Sequence, residues 1–301
     1  MPEALKKALR DGRALPWWLG FGLLACAVGS AMVAPEIAEQ LATASPRMRA
    51  ALLAGAIAAA ATALGTLPVL LSQSFSKRSY DCFLGFGAGV MLGATSFSLI
   101  VPALAAARAG GAGAMGASTT IGLGIALGAL LVVALGRLVH RGEHLLEQDD
   151  GARDGYRRVW LFVAAITLHN LPEGLAIGVA YAGPNIDSAH TLATGISIQD
   201  VPEGLVVALA LRSVGYGRWF SVGLGALSGL IEPAAAVAGV ALISISEGLL
   251  PLGLALAAGA MLYVIVHEVI PESHRNGNGS FASAALVLGF ILMTVLDTAL
   301  P

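Results

Sequence analysis

Charge is what this sequence has least of. Only 12% of its 301 residues are Asp, Glu, Lys or Arg, against about 25% in a typical soluble domain. So few charges cannot cover a globular surface of this size, which excludes an ordinary soluble enzyme and a disordered chain. A basic excess is missing too. The 17 Lys and Arg face 19 Asp and Glu, for a formal net charge of −2, so the electrostatic footprint of a nucleic-acid binder is absent. Cysteine is scarce: Cys26 and Cys82 sit in or beside apolar runs and form no CxxC pair, as buried thiols of membrane helices would. What the chain has in quantity is apolar surface and glycine. Hydrophobic residues make up 56%, glycines number 38, and the mean hydropathy is +0.79. Small residues in an apolar background suit close-packed membrane helices.

A membrane span needs about 20 mostly apolar residues. Runs of that kind fall at 14–34, 48–72, 82–107, 115–136, 159–182, 189–211, 219–243, 249–271 and 280–300. The connections are short and carry most of the charge. The longest, Arg137 to Arg158, holds His140, Glu143, His144 and the Asp149-Asp150 pair. With the N-terminus placed in the cytoplasm, only Arg47, Arg49 and Arg108 of the 17 basic residues fall outside. That asymmetry orients the chain by the positive-inside rule and puts the C-terminus in the periplasm. The first run follows Lys6–Arg13 and ends in Gly29-Ser30-Ala31. It is long enough for a retained helix, although a signal peptide has the same outline. The expected organisation is therefore residues 1–46 as a basic segment with an additional helix, and 47–301 as an eight-helix core.

Glycines four apart recur along the spans: Gly85, Gly89 and Gly93; Gly124 and Gly128; Gly225 and Gly229. Such ridges let backbones approach closely, for packing and for sliding surfaces.

Ionisable groups inside apolar spans are functional candidates by default. The fifth span contains His169-Asn170-Leu171-Pro172-Glu173-Gly174 and the sixth contains Gln199-Asp200-Val201-Pro202-Glu203-Gly204. Residue for residue these are copies of one pattern, flanked by LAIGVA and LVVALA. Consecutive spans run in opposite directions, so the copies are related by a pseudo-two-fold axis in the membrane plane, as in inverted-repeat transporters with a midplane site. His169 and Glu173 are four apart and Asn170 and Glu173 three apart, as are their counterparts, so each set shares one helix face. Pro172 and Pro202 free the carbonyls of Leu168 and Ile198, which must find a partner or line a cavity. Imidazole with carboxylate suits zinc and its first-row neighbours, whereas an all-oxygen set suits magnesium or calcium. Polar groups in membrane helices also serve as hydrogen-bonding glue, but a lone Asn or Gln suffices for that and a duplicated His–carboxylate cluster does not. Glu232-Pro233, mid-span in the seventh run, adds a fourth carboxylate to Glu173, Asp200 and Glu203. Two divalent cations neutralise four negative charges; one cation and two protons do so equally.

The pair HNLPEG and QDVPEG, with SFSLIVPAL in the third span, IEP in the seventh and HEVIPESHRNG in the eighth, resembles the ZIP (Zrt/Irt-like) family of divalent-metal transporters, especially its bacterial members. The likeness covers the second to ninth spans. It implies an eight-helix core carrying a binuclear midplane site. One metal would be held by His169, Glu173, Gln199, Glu203 and Glu232, and the other by Asn170, Glu173, Asp200, Glu203 and Glu232. Met91 matches a thioether near the first metal. His267 and Glu268 match exit-path ligands, and His274 follows them. His140, Glu143 and His144 match a histidine-bearing cytoplasmic loop. Ser98 and Asp297, in the outer halves of their spans, would line an entrance.

The expectation is an all-α inner-membrane protein of eight core helices plus one, with inverted repeats. It would carry Zn²⁺, with Cd²⁺ or Fe²⁺ as further cargo, into the cytoplasm and catalyse no covalent chemistry. By resemblance it would work as a homodimer in the lipid bilayer, by an elevator-like slide of the metal-bearing helices. Two rivals share its residues. An intramembrane metalloenzyme would keep three protein ligands and an open water, fewer than the duplicated motif offers. A proton-coupled solute transporter would show aromatic or arginine contacts beside the motifs, and none lie there.

Overall fold

The computed structural model describes residues 44–71, 75–144 and 151–299, with side chains for all of these except 138–144, 151–158 and 161. Ala50–Pro301 forms one compact unit. The expected first span at 14–34 lies outside the described residues. Among those residues there is no strand, and eight helices are long and apolar enough to cross a membrane. These are α1 (Pro46–Leu71), α2 (Lys77–Ala109), α3 (Ala114–His144), α4 (Gly151–Ala182), α5 (Ile186–Ser213), α6 (Arg218–Ile245), α7 (Glu247–His274) and α8 (Gly279–Ala299).

Local chemistry sets the ends. Ser45 Oγ accepts from Met48 N at 3.2 Å ahead of α1. Ser76 caps α2 by accepting from Ser79 N at 3.0 Å, and Asn185 caps α5 through Ser188 N at 3.1 Å. Each cap satisfies an amide that the first helical turn leaves without an internal partner. Three tight reversals need a left-handed residue. Gly111 (φ 90°), Gly215 (φ 94°) and Gly277 (φ 85°) supply it at the α2–α3, α5–α6 and α7–α8 turns.

Three details differ from the expected spans. First, α3 and α4 run past 136 and start before 159. Most of the supposed loop from Arg137 to Arg158 is thus helical backbone, because charges that end an apolar run have no need to end a helix emerging into water. Second, the run at 219–243 is not one continuous helix. It breaks between Ser228 and Ile231, so α6 consists of Arg218–Ser228 and Ile231–Ile245, and Glu232 sits in the first turn of the second half. Third, α2 and α7 each widen into a π-helical segment, Ala94–Ile100 and Ile265–Val269. Both lie just before a proline, Pro102 or Pro271. The Val101 amide bonds to the Ser96 carbonyl and the Ile270 amide to the Ile265 carbonyl, five residues back. Widening relieves the crowding that a proline imposes on the preceding turn.

Glycine decides which helices lock together. A β-carbon on Gly204 of α5 would strike the Thr62 carbonyl of α1, and one on Gly65 of α1 would strike the Val201 carbonyl of α5. Gly174 and Gly178 of α4 meet the Glu232 and Ala236 carbonyls of α6 in the same way. Helices α1, α4, α5 and α6 thus interlock backbone to backbone. Gly85 and Gly89 of α2 meet the carbonyls of Ala282 and Leu286 on α8, and Gly128 of α3 meets Leu256 of α7. Between the motif helices and α2 and α8 the contacts are of another kind. Leu84 packs with Val163, Ile166, Val206, Val207 and Leu211, and Gly195 faces the flexible end of Met293. The glycine ridges are therefore close-packing seams, whereas α4 and α5 meet α2 and α8 through side chains.

Candidate metal centre

The two motifs place their polar residues on facing sides of α4 and α5, deep in the bundle. Asn170, Glu173 and Glu232 are fully buried, and His169, Gln199, Asp200 and Glu203 nearly so. Within this group, ligand atoms of His169, Glu173 and Glu203 lie within 4.8 Å of one another, and so do those of Glu173, Asp200 and Glu232. Glu173 belongs to both triads.

Gln199 stands between two carboxylates. Its Nε2 donates to Glu173 Oε1 at 2.5 Å and to Asp200 Oδ1 at 2.6 Å. The amide is oriented by these partners. His169 Nε2 is 4.0 Å from Glu173 Oε1 and its Nδ1 is 3.9 Å from Glu268 Oε2, too far for hydrogen bonds. Asn170 Nδ2 donates to the Ser228 carbonyl at 3.1 Å, where α6 breaks and leaves a carbonyl to satisfy. Its Oδ1 stays available.

Thr62 is a residue that sequence reasoning missed. It donates to Glu232 Oε1 at 3.2 Å and positions that carboxylate from α1. Its place follows from the repeat. Gly174 packs on the Glu232 carbonyl and Gly204 on the Thr62 carbonyl, so the pseudo-symmetry that pairs α4 with α5 also pairs α6 with α1. One of the two threonines of the alanine-rich α1, Thr62 and Thr66, carries no signal of its own in the sequence.

Buried polar atoms are normally hydrogen-bonded. Among the described residues, those that are not are His169 Nδ1 and Nε2, Asn170 Oδ1, Glu173 Oε2, Asp200 Oδ2, Glu203 Oε1 and Glu232 Oε2. All seven belong to this cluster. Nor does any Lys or Arg among the described residues pair with its four carboxylates. Uncompensated buried charge of one sign costs several kcal/mol per ion. Converging buried carboxylate and imidazole groups with no Lys or Arg beside them could hold a cation.

The cluster opens into a cavity of about 560 Å³ lined by Met91, His169, Gln199, Glu203, His267 and Glu268, which reaches Glu272 and Arg275. Met91, His267 and Glu268 are thereby brought to the site, the last two on the π segment of α7. Ser98 and Asp297 are brought to each other, at 2.7 Å. Ser98 lines a different cavity, of about 390 Å³, with Gly183 and Asn185 from the opposite end of the bundle. His274 does not line the metal-side cavity. Its ring is hydrogen-bonded to Ile270 O, Ser273 Oγ and Ser283 Oγ. His144 ends the backbone of α3, and its side chain, with those of His140 and Glu143, lies outside the described residues.

Comparison with known proteins agrees with this chemistry. The model of the family described as ZIP Zinc transporter matches residues 140–297. The chain is 43% identical over 254 residues to zinc transporter GufA of Myxococcus xanthus, covering 84% of this chain and 100% of that protein. It is 45% identical over 261 residues to zinc transporter ZIPB of Bordetella bronchiseptica, covering 83% and 81%. To zinc transporter ZIP11 of Homo sapiens it is 33% identical over 320 residues, covering 79% and 94%.

Proposed function

Because the chain belongs to the ZIP family of zinc transporters, a family of transporters and not of enzymes, we propose that it carries Zn²⁺ across the inner membrane into the cytoplasm through a two-metal site at the bundle's centre. The observation that carries this reading is the confinement of every unpartnered buried polar side-chain atom, among the described residues, to the His169–Glu232 cluster. His169, Glu173, Gln199 and Glu203 would hold one ion. Asn170, Glu173, Asp200 and Glu232 would hold the other, with Glu173 bridging. A single triad of three buried ligands meets the minimum for zinc, and Glu173 in both triads is what makes two adjacent ions reasonable. Cd²⁺ and Fe²⁺ share the ligand preference and are further candidates for cargo.

The cavity from the cluster toward Arg275 gives the release route, with His267 and Glu268 as successive, more exposed ligands. Positive-inside asymmetry assigns that end, with Lys77, Arg212, Arg218 and Arg275, to the cytoplasm. The interlocked α1, α4, α5 and α6 would move as one body against α2, α3, α7 and α8. The side-chain contacts around Leu84 and Met293 support an elevator-like slide there, because side chains re-pack more cheaply than glycine-seated backbones separate. A homodimer would hold the second body still. Division of the chain at about residue 46 would set an additional N-terminal helix apart from this machinery.

Metal-dependent uptake into proteoliposomes, with a panel of divalent ions, tests the reading. Zn²⁺ accumulation that depends on the protein and is lost in Glu203→Ala is expected. Uptake unchanged by that substitution at equal protein density sinks the site assignment.

A further inference from the structure

Beside the metal-side cavity a second one, of about 750 Å³, opens at the same end of the bundle. It lies among the first turn of α2, the apolar start of α4, the last turn of α5 and the end of α7. The two cavities share Phe162, Glu272 and Arg275 as a wall. None of the central metal-cluster residues lines the second.

Its lining is two-sided. Lys77, Arg212 and Arg275 bring three cations, against one carboxylate, Glu272. That carboxylate is already engaged, accepting from Tyr80 Oη and from Arg275 Nη1, each at 3.1 Å. Arg212 uses Nη1 on the Tyr216 carbonyl, and a guanidinium has further donors to offer. The same cavity is also lined by the apolar side chains of Phe75, Val159, Leu209 and Val214. Three cations around one engaged carboxylate repel one another, and an apolar wall does nothing to screen them.

We propose that this cavity binds a phosphate-bearing anion, and that its occupant is the headgroup of an anionic phospholipid. Phosphate oxygens would meet Lys77, Arg212 and Arg275, and the glycerol and first acyl carbons would cover the apolar wall. Basic pockets between membrane helices take lipid headgroups in this way, and the volume is that of an ordinary ligand pocket. A small soluble anion satisfies only the charged half and leaves Phe75 and Leu209 facing water, which favours the lipid. The site stands apart from the metal cluster, so it holds or fails independently of the transport reading.

The test uses the full chain in mild detergent, equilibrated with equal parts of phosphatidylglycerol and phosphatidylcholine, with retained lipid counted by native mass spectrometry. The wild type is expected to retain phosphatidylglycerol selectively. Lys77→Gln/Ser213→Asp alters two cavity-lining residues and changes the local charge by two units. Each unit near such a site is worth about five-fold, so the preference should fall by about 25-fold. Lys77 is exposed, so Lys77→Gln alone, with a loss of about five-fold, serves if the double variant does not fold. Equal retention of the two lipids by the wild type, or an unchanged preference in the variants, overturns the proposal. Inorganic phosphate identifies the source: displacement of the lipid by equimolar phosphate overturns the lipid assignment, and resistance to it supports the two-sided site.

Discussion

Replacing Glu173 by Gln is the most incisive perturbation of the cluster, because it should move two properties in opposite directions. Glu173 is fully buried, belongs to both triads and keeps one oxygen without a partner. Gln preserves its volume and can still accept from Gln199 Nε2, so packing is untouched and one negative charge is gone. In the metal-free protein four carboxylates crowd together, so losing one relieves repulsion, and the apo form should be at least as heat-stable as the wild type. With metal the sign reverses. Removing one partner of a buried charge pair costs about 3–5 kcal/mol, which is a loss of roughly two to three and a half orders of magnitude in affinity. At a Zn²⁺ concentration of about 100 Kd the wild type gains about 2.7 kcal/mol from binding. After a hundred-fold loss of affinity the same concentration gives about 0.4 kcal/mol. At about 2.1 cal/mol/K per residue, those gains correspond in a chain of this length to melting shifts of roughly 4 °C and under 1 °C. The assay is a melting curve of the purified protein in detergent, with chelator and with Zn²⁺. A wild-type metal-induced shift in Glu173→Gln would refute the bridging role. A large fall in apo stability would refute the argument that the four charges oppose one another.

Three further outcomes are expected. Asp200→Asn removes a charge from the Glu173–Asp200–Glu232 triad and not from the His169 triad, so anomalous scattering from a soaked divalent ion should show occupancy lost at one position; equal loss at both would count against two subsites. Carboxylates and imidazole must be deprotonated to ligate, so protons compete with metal. Metal affinity should therefore fall as the pH is lowered; a pH-independent isotherm in the wild type removes the charge argument. Gly204→Ala should cost about 1–3 kcal/mol by overpacking against the Thr62 backbone, whereas Gly113→Ala, with open space around it, should melt within about a degree of wild type; equal melting of the two would refute the seam.

The eight spans were legible because a bilayer imposes a length and an apolar composition on every helix that crosses it, and both are one-dimensional properties. The site was legible for a related reason. A carboxylate at membrane depth is costly enough that Glu173, Asp200, Glu203 and Glu232 stand out against any apolar background, and the repeat of proline–glutamate–glycine fixes their relation. What escaped had no such cost. The ends of α3 and α4 extend into water, where charge is compatible with a helix, so hydropathy misplaced them. The break in α6 rests on Gly229 meeting Thr62 across an interface, and on a Ser228 carbonyl that finds its partner in Asn170; neither partner is near in sequence.

The glycines show most plainly where a sequence pattern stops informing. Spacing by four marks a surface on which a backbone can approach, but it is the same for a seam that holds and a seam that slides. The distinction lies in what the missing β-carbon would meet. Gly89 and Gly128 face carbonyls of α8 and α7, and Gly204 faces one of α1. A carbonyl seated against a bare α-carbon has one register, because a shift of one residue brings a side chain into the gap. Leu84 against Val206 and Val207 has no such constraint, since apolar side chains exchange partners at little cost while burial is kept. The proposed slide of α1, α4, α5 and α6 would therefore run at the Leu84–Met293 surface, and the seams would fix which helices travel together. The residues of both triads lie on α4, α5 and α6, all on one side of that surface, so the proposed motion would carry a bound metal together with the residues that could hold it.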